Sequence, residues 1–440
     1  MEGHHWKIAL IAGVALLAGG CDTWLGKHKE PLPGTRLSVL THEQTISPDP
    51  ELANAEILLP PPSVNADWPQ AGGYANHAMH HLAVGDVLKK AWSADIGAGS
   101  DDAERIVSTP IVADGVVYTV DAETKVSAFN AQTGARIWSV NPTPDDEDDG
   151  HISGGVAFES GRVFVTTGFA QVIALDAKTG KELWRRKMDG PMRAAPTVRG
   201  GRVFVITLDN KLYALNAQTG ETLWTYTGTV EVATLLGEAS PAVDEGVVVA
   251  PFSSGDLVAL RVESGRVLWT ESLTSARRTD AISTLSQIRG RPIIDRGRVY
   301  AIGHGDTTVA LDLRNGQRIW DKSIGGIESP WIAGDYLFLL TNDWELICLS
   351  RNTGRAFWVT SLPRFEDEED KKDPIIWTGP ILVSDRLIVA GSQGEALAVS
   401  PYTGKILGAQ ELPDGVSVAP IVANGMVYVL TNDAALVALK

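Results

Sequence analysis

Ala177-Lys178-Thr179-Gly180-Lys181-Glu182-Leu183-Trp184 is followed by Ala217-Gln218-Thr219-Gly220-Glu221-Thr222-Leu223-Trp224, its near copy 40 residues on. In both, a Gly sits in a turn between two short apolar stretches and a Trp falls four residues later. The Gly supplies the positive φ of a tight hairpin, and the Trp gives the second strand a large surface to bury. The phrase recurs at Gly134/Trp138, Gly265/Trp269, Gly316/Trp320 and Gly354/Trp358, and a seventh copy at Gly404 carries Gly408 in place of the Trp. Successive turn glycines are 46, 40, 45, 51, 38 and 50 residues apart, the period of a four-stranded propeller blade. The unit around Gly220 resolves into four strands: 195–198, 202–206, 211–215 and 221–224.

Working outward, the C-terminal end offers three strands, at 418–421, 426–430 and 436–439, with no fourth. Lys89-Lys90-Ala91-Trp92-Ser93-Ala94 reads as an orphan fourth strand with its own Trp. Pairing the two completes an eighth blade and leaves no open edge. The expected fold is therefore all-β: an eight-bladed propeller of four-stranded antiparallel blades over 67–440, closed by an N-terminal strand. Trp92, Trp138, Trp184, Trp224, Trp269, Trp320 and Trp358 are expected to pack against neighbouring blades. Turns within a unit are short and uniform, whereas connections between units run long at about 140–154, 227–239, 272–290 and 362–378. Function gathers where a rigid scaffold tolerates insertions, so the face carrying these connections is the expected working surface.

The first residues form a targeting segment. Lys7 precedes the apolar run 8–18, which is too short to span a bilayer, and Leu17-Ala18-Gly19-Gly20-Cys21 fits a lipoprotein processing site. Residues 1–20 are expected to be a signal peptide and Cys21 a lipid anchor; 21–66, with Pro31, Pro33, Pro48, Pro50 and Pro60 to Pro62, a Pro-rich linker. The only other cysteine, Cys348, lies in an apolar run and reads as a small buried hydrophobe, so no disulfide framework exists. A net charge of −16 argues against binding nucleic acid through a basic face.

These repeats resemble the quinoprotein-type propellers, whose phrase has the form A-x-x-x-T-G-x-x-x-W. Within that group the chain is similar to the BamB family, lipoprotein subunits of the machinery that folds and inserts β-barrels into the bacterial outer membrane. The lipobox before Cys21, the eight-blade count, the opening Asp67-Trp68-Pro69-Gln70 and the insertion Leu362-Pro363-Arg364-Phe365-Glu366-Asp367 carry the likeness. The resemblance implies a non-catalytic scaffold without cofactor, a monomer within a complex. It would sit on the periplasmic face of the outer membrane, binding the POTRA domains of the BamA-type barrel subunit and steering nascent outer-membrane proteins.

The resemblance also implies partner-binding residues in two adjacent inter-blade connections. The family's L-x-L-R-G-E-S-x-P corresponds to 233–241, where Leu235, Gly237 and Glu238 match and Leu236 stands in place of the Arg. The family's acidic D-x-D before a Pro corresponds to Gln287, Ile288 and Arg289, with no carboxylate. Apolar Leu235, Leu236 and Ile288 are expected to form exposed tips of a partner-binding surface.

Other chemistries have less support. A quinone-dependent dehydrogenase on the same fold resembles this chain in its repeats alone. Such enzymes use an adjacent Cys pair, absent here, and no C-x-x-C-H haem motif is present. A generic ligand-binding propeller remains the other alternative. His77, His80 and His81 have chelating spacing but no carboxylate or thiol among them, so they read as solvated histidines in a lead-in segment. The runs 145–149 and 366–370 lack the spaced ligands of a calcium loop and read as charged, exposed turns. No nucleophile elbow, phosphate loop or dinucleotide fingerprint stands in a fitting context, so no catalytic or metal-binding residue is expected.

Overall fold

The computed structural model describes residues 46–52, 55–144, 152, 154–230, 237, 239–274 and 287–440. Among them are eight four-stranded antiparallel sheets and one separate two-stranded hairpin. Seven sheets are contiguous in sequence, at 111–140, 155–187, 197–227, 242–272, 293–322, 331–361 and 377–411, and are numbered blades 1 to 7. Blade 8 combines Ile421–Ala423, Met426–Leu430 and Ala435–Leu439 with Lys90–Asp95 from the other end of the chain. Its closing pair is antiparallel, with Trp92 opposite Ala438 and Asp95 opposite Ala435. The fold is an eight-bladed β-propeller.

Each blade grades from inside to outside. The first strand is short and buried on both faces, as in Ile111–Ala113 and Ile293–Asp295, while the fourth is largely exposed, as in Glu182–Lys187. Between third and fourth strands a register shift recurs at the same place, for example between Ala174 and Leu175 and between Ala214 and Leu215. The extra residue of this bulge, immediately before the Trp, re-aims the indole toward the next blade.

The indoles dock alike. Nε1 of Trp92, Trp138, Trp184, Trp224, Trp269, Trp320 and Trp358 donates to a backbone carbonyl of the following blade, at Ala131, Ala177, Ala217, Val262, Leu313, Arg351 and Pro401 respectively, over 2.8–3.1 Å. The ring lies on that blade's turn Gly. A Cβ on Gly220 would stand 2.7 Å from the Trp184 ring, and one on Gly180 would stand 2.8 Å from Trp138. Turn Gly and Trp are thus two halves of one joint made between successive blades. Asp176 and Asn216 prepare the turn, their Oδ1 accepting the backbone N–H groups two and three residues on.

The joint also accounts for Gly408. Blade 8 takes its fourth strand from Lys90–Asp95, so it has no hairpin between third and fourth strands and no turn Gly to receive an indole from blade 7. At that junction Gly408 faces open space.

Residues 46–52 and 55–66, expected to belong to the linker, run beside the blades without joining a sheet. Asp49 and Glu51 both pair with Arg355 at 2.6 Å, Leu58 N–H donates to the Tyr336 hydroxyl and Ile57 is buried. The packed chain therefore starts by residue 46 rather than 67. The charged insertion after blade 6 is exposed as expected, but it is ordered as a hairpin of Phe365–Asp367 with Lys372–Pro374. Cys348 is fully buried in its strand. Among the described residues no helix is long and apolar enough to cross a membrane.

Candidate functional site

Residues 65–82 make one circuit inside the ring, touching the innermost strand of every blade in turn. Asn65 Nδ2 donates to Val422 O in blade 8, and Trp68 exchanges two backbone bonds with Val112 in blade 1. Phe158 N–H of blade 2 donates to Pro69 O, while the Gln70 amide both donates to Val198 O and accepts from Val198 N–H in blade 3. Val243 N–H and Ile294 N–H, in blades 4 and 5, donate to Ala75 O and Asn76 O. The Trp331 indole of blade 6 donates to His80 O, and Leu82 bonds Leu382 and Ser384 of blade 7. A segment with no strand of its own thus bonds to all eight blades through its backbone and the Asn65 and Gln70 amides, which is why it can be buried.

This clasp overturns the reading of two of its three histidines as solvated, His80 keeping a side chain 37% exposed. His77 and His81 are buried; His77 Nδ1 donates to Pro292 O at 2.7 Å, and His81 Nδ1 donates to Pro60 O while its Nε2 accepts the Asp385 N–H. Burial, reinforced by the Arg291 charge, pushes the His77 pKa down to about 3, so the ring is neutral. His80 reaches Asp295 at 3.4 Å, and Asp295 also takes the buried Arg351 guanidinium at 2.5 Å. Burial alone would raise the Asp295 pKa, but hydrogen bonds from His80 and Arg351 hold it below the usual carboxylate range.

The clasp lies toward the turns between first and second strands, where Asp67 accepts the Asp114 N–H. The channel beyond it is a cavity of about 40 Å³ floored by Trp68, Gly72 and His77. Residues leading into the inner strands of blades 1, 5, 6 and 8, and within that of blade 7, wall it: Thr109, Arg291, Glu328, Pro330, Pro380 and Pro420 among them. At its mouth, Arg289 reaches Glu328 at 3.4 Å, and Glu328 also accepts Thr378 Oγ1 at 2.9 Å and Gly379 N–H at 3.3 Å.

The two connections singled out in the sequence meet here. Gln287 Nε2 donates to Gly237 O at 3.2 Å, and the Arg289 guanidinium lies 3.3 Å from where a Gly237 Cβ would stand. Ile288, expected as an exposed tip, is instead 2% exposed and packs with Leu273, Ala242 and Val249 between blades 4 and 5. Gln287 is buried as well, which leaves Arg289 as the partly accessible member of that trio. Leu235, Leu236, Glu238 and Cys21 lie outside the described residues, as does the acidic run 145–149.

Sequence reasoning missed Arg291 and Glu328, yet one signal marked Arg291. Inner strands are entered through a residue followed by Pro: Thr109-Pro110, Ala195-Pro196, Ser240-Pro241, Ser329-Pro330, Gly379-Pro380 and Ala419-Pro420. Arg291-Pro292 alone puts a charge in that channel-facing position. Among the described residues no cluster of three His, Cys, Asp or Glu side chains could hold a metal ion.

Fold and site together define a Trp-docked, eight-bladed propeller whose channel is clasped by its own N-terminal segment and whose connections after blades 3 and 4 meet beside Glu328 of the channel wall. Known proteins refine that class. The family model described as outer membrane protein assembly factor BamB matches residues 89–149, 122–360 and 367–440, and the chain belongs to that family. The outer membrane protein assembly factor BamB of Shigella dysenteriae serotype 1 is 32% identical over 348 residues, 78% of this chain and 86% of the relative. The solved BamB from Moraxella catarrhalis superposes with a TM-score of 0.67 at 21% identity, covering 80% of this chain and all of that one. A europium-containing methanol dehydrogenase gives the same TM-score at 17% identity, covering 83% and 90%, a likeness of fold alone.

Proposed function

We propose that this chain is a lipid-anchored, periplasm-facing and non-catalytic scaffold for assembling outer-membrane β-barrels. It docks the POTRA domains of a BamA-type subunit through the paired connections after blades 3 and 4. Membership of the BamB family supports the process. The observation that carries the surface is the meeting of Gly237 with Gln287 and Arg289, which joins two separately irregular connections into one patch. The burial of Ile288 shifts the contact chemistry: Gln287 and Ile288 brace the patch, and Arg289, with Leu235, Leu236 and Glu238 beside Gly237 in sequence, supplies its contacts. Anchoring at Cys21 would hold the propeller at the outer membrane; several acyl chains suffice, each buried CH₂ adding about 0.8 kcal/mol.

The test is capture of the barrel-forming subunit from detergent-solubilised membranes by the full-length protein carrying Leu235→Asp and Arg289→Glu. Recovery should fall about tenfold or more, the loss expected when charge is forced into an interface. Wild-type recovery by a variant of unchanged melting temperature would overturn the surface. Cys21→Ser should move the protein to the soluble periplasmic fraction, and continued sedimentation with membranes would overturn the anchor.

A further inference from the structure

Four polar side-chain atoms facing the channel cavity are buried and have no hydrogen-bond partner: Trp68 Nε1, His77 Nε2, Thr109 Oγ1 and Arg291 Nε. Three belong to residues that are themselves more than nine-tenths buried, Trp68 at 3%, His77 at 7% and Thr109 at 7% exposure. Buried polar groups are ordinarily satisfied, so four orphans around one space describe an occupant. Their polarity describes it further. Trp68 Nε1 is a donor only, Arg291 Nε is a charged donor and Thr109 can donate. His77 Nδ1 carries the ring proton, given to Pro292 O, so its Nε2 is an acceptor.

Charge sharpens the description. The nearby carboxylate, Glu328, favours the Arg291 charge from a distance but is itself engaged by Arg289, Thr378 and Gly379, and among the described residues no carboxylate oxygen stands within ion-pair distance of Arg291. A guanidinium held in a mostly apolar channel, among Ile293, Ile381, Ile421 and Pro330, is stabilised by an anion. Glu328 would repel a dianion, so a monoanion fits better. At about 10–15 Å³ for one water-sized group, the cavity has room for about three such groups, the size of a carboxylate with a one-carbon stem and a hydroxyl.

We infer that the channel is a binding site for one carboxylate group, with Arg291, Trp68 and Thr109 donating to its oxygens and His77 Nε2 accepting from a hydroxyl beside it. The carboxylate can belong to a free small hydroxy acid or to an acidic side chain at the tip of a peptide loop; both present the same chemistry. The site is independent of the docking patch, since none of these four residues lies in it.

The experiment titrates the purified full-length protein with glycolate, acetate and, as neutral control, ethylene glycol. Binding is followed by melting temperature and by the fluorescence of the stacked Trp68–Trp331 pair, whose rings lie 6.2 Å apart. Glycolate and acetate should saturate, with glycolate the tighter, and ethylene glycol should not. Arg291→Gln should weaken glycolate binding about tenfold or more, as loss of a charge-assisted hydrogen bond does. Without ligand it should melt close to wild type, because it removes a desolvated charge that Glu328 offsets only from a distance. Thr109→Val gives a second, milder reading that keeps the charge. An amidated Gly-Asp-Gly peptide that competes with glycolate assigns the site to a protein loop; glycolate binding without competition assigns it to a free acid. Absence of saturation by both acids, equal response to ethylene glycol, or an Arg291→Gln affinity equal to wild type would each overturn the site.

Discussion

At the scale of single residues, charge placement governs the interior. Arg351 is buried against Asp295 and also donates to the Tyr300 hydroxyl and the Gly334 carbonyl. Arg351→Ala would leave the Asp295 carboxylate without that partner, and breaking a buried pair from one side costs about 3–5 kcal/mol; equilibrium urea unfolding measures it. His77 makes stability depend on pH. In the unfolded chain its imidazole takes up a proton near the ordinary value of 6.5, but in the folded protein only near about 3. Between those values the unfolded state binds more protons, so stability falls as pH falls, by up to about 1.4 kcal/mol per pH unit. His77→Gln should flatten that slope between pH 6.5 and 4 in chemical-denaturation curves, and an unchanged slope would contradict the burial of a neutral ring. At neutral pH the wild type should be the more stable or equal.

Elements hold together through joints rather than through strands alone. Trp269, 7% exposed, lies between blade 4 and the turn at Gly316, so Trp269→Ala should cost about 3–5 kcal/mol by losing ring burial and leaving a cavity. Gly220→Ala should cost about 2 kcal/mol or more, since φ there is +72° and the new Cβ would stand 2.7 Å from the Trp184 ring. Gly408→Trp, by contrast, should leave the melting temperature nearly unchanged, because blade 8 has no hairpin turn to receive an indole; a rise like the loss at Trp269 would refute the joint rule. This element scale is where the sequence was most legible. The spacing of Gly134, Gly180 and Gly220 shows the blade period directly, because turn and Trp are local to one hairpin. The clasp was not legible. Its partners are backbone groups of seven blades and the Trp331 indole of blade 6, and such contacts leave no periodic side-chain signature in 65–82. His77 and His81 were misread for the same reason: chelating spacing is visible in a sequence, whereas enclosure by Pro60, Pro292 and Asp385 is not. Ile288 shows the complementary limit, an apolar residue in a long connection that turns inward to fill the seam between blades 4 and 5.

For the whole molecule, closure depends on one borrowed strand. A chain beginning at Gly97 would lack Lys90–Asp95 together with the clasp, leaving the Ala435–Leu439 strand as an open edge. Such a truncation should lower the melting temperature sharply and self-associate, which size-exclusion chromatography with light scattering would detect; a stable monomer would show that the seven contiguous blades suffice.

The borrowed strand also sets an order of events in time. Lys90–Asp95 and the circuit from Asn65 to Leu82 are made long before the residues they must meet in blades 7 and 8. Synthesis therefore produces its closing pieces first and keeps them waiting. Blades can form one by one behind them, since each hairpin is local, but the ring cannot lock until Ala435–Leu439 has left the ribosome. Throughout that interval the chain carries one unpaired strand near its finished N-terminal end and an open blade edge at its growing end, and its final step is a single long-range closure rather than a gradual accretion.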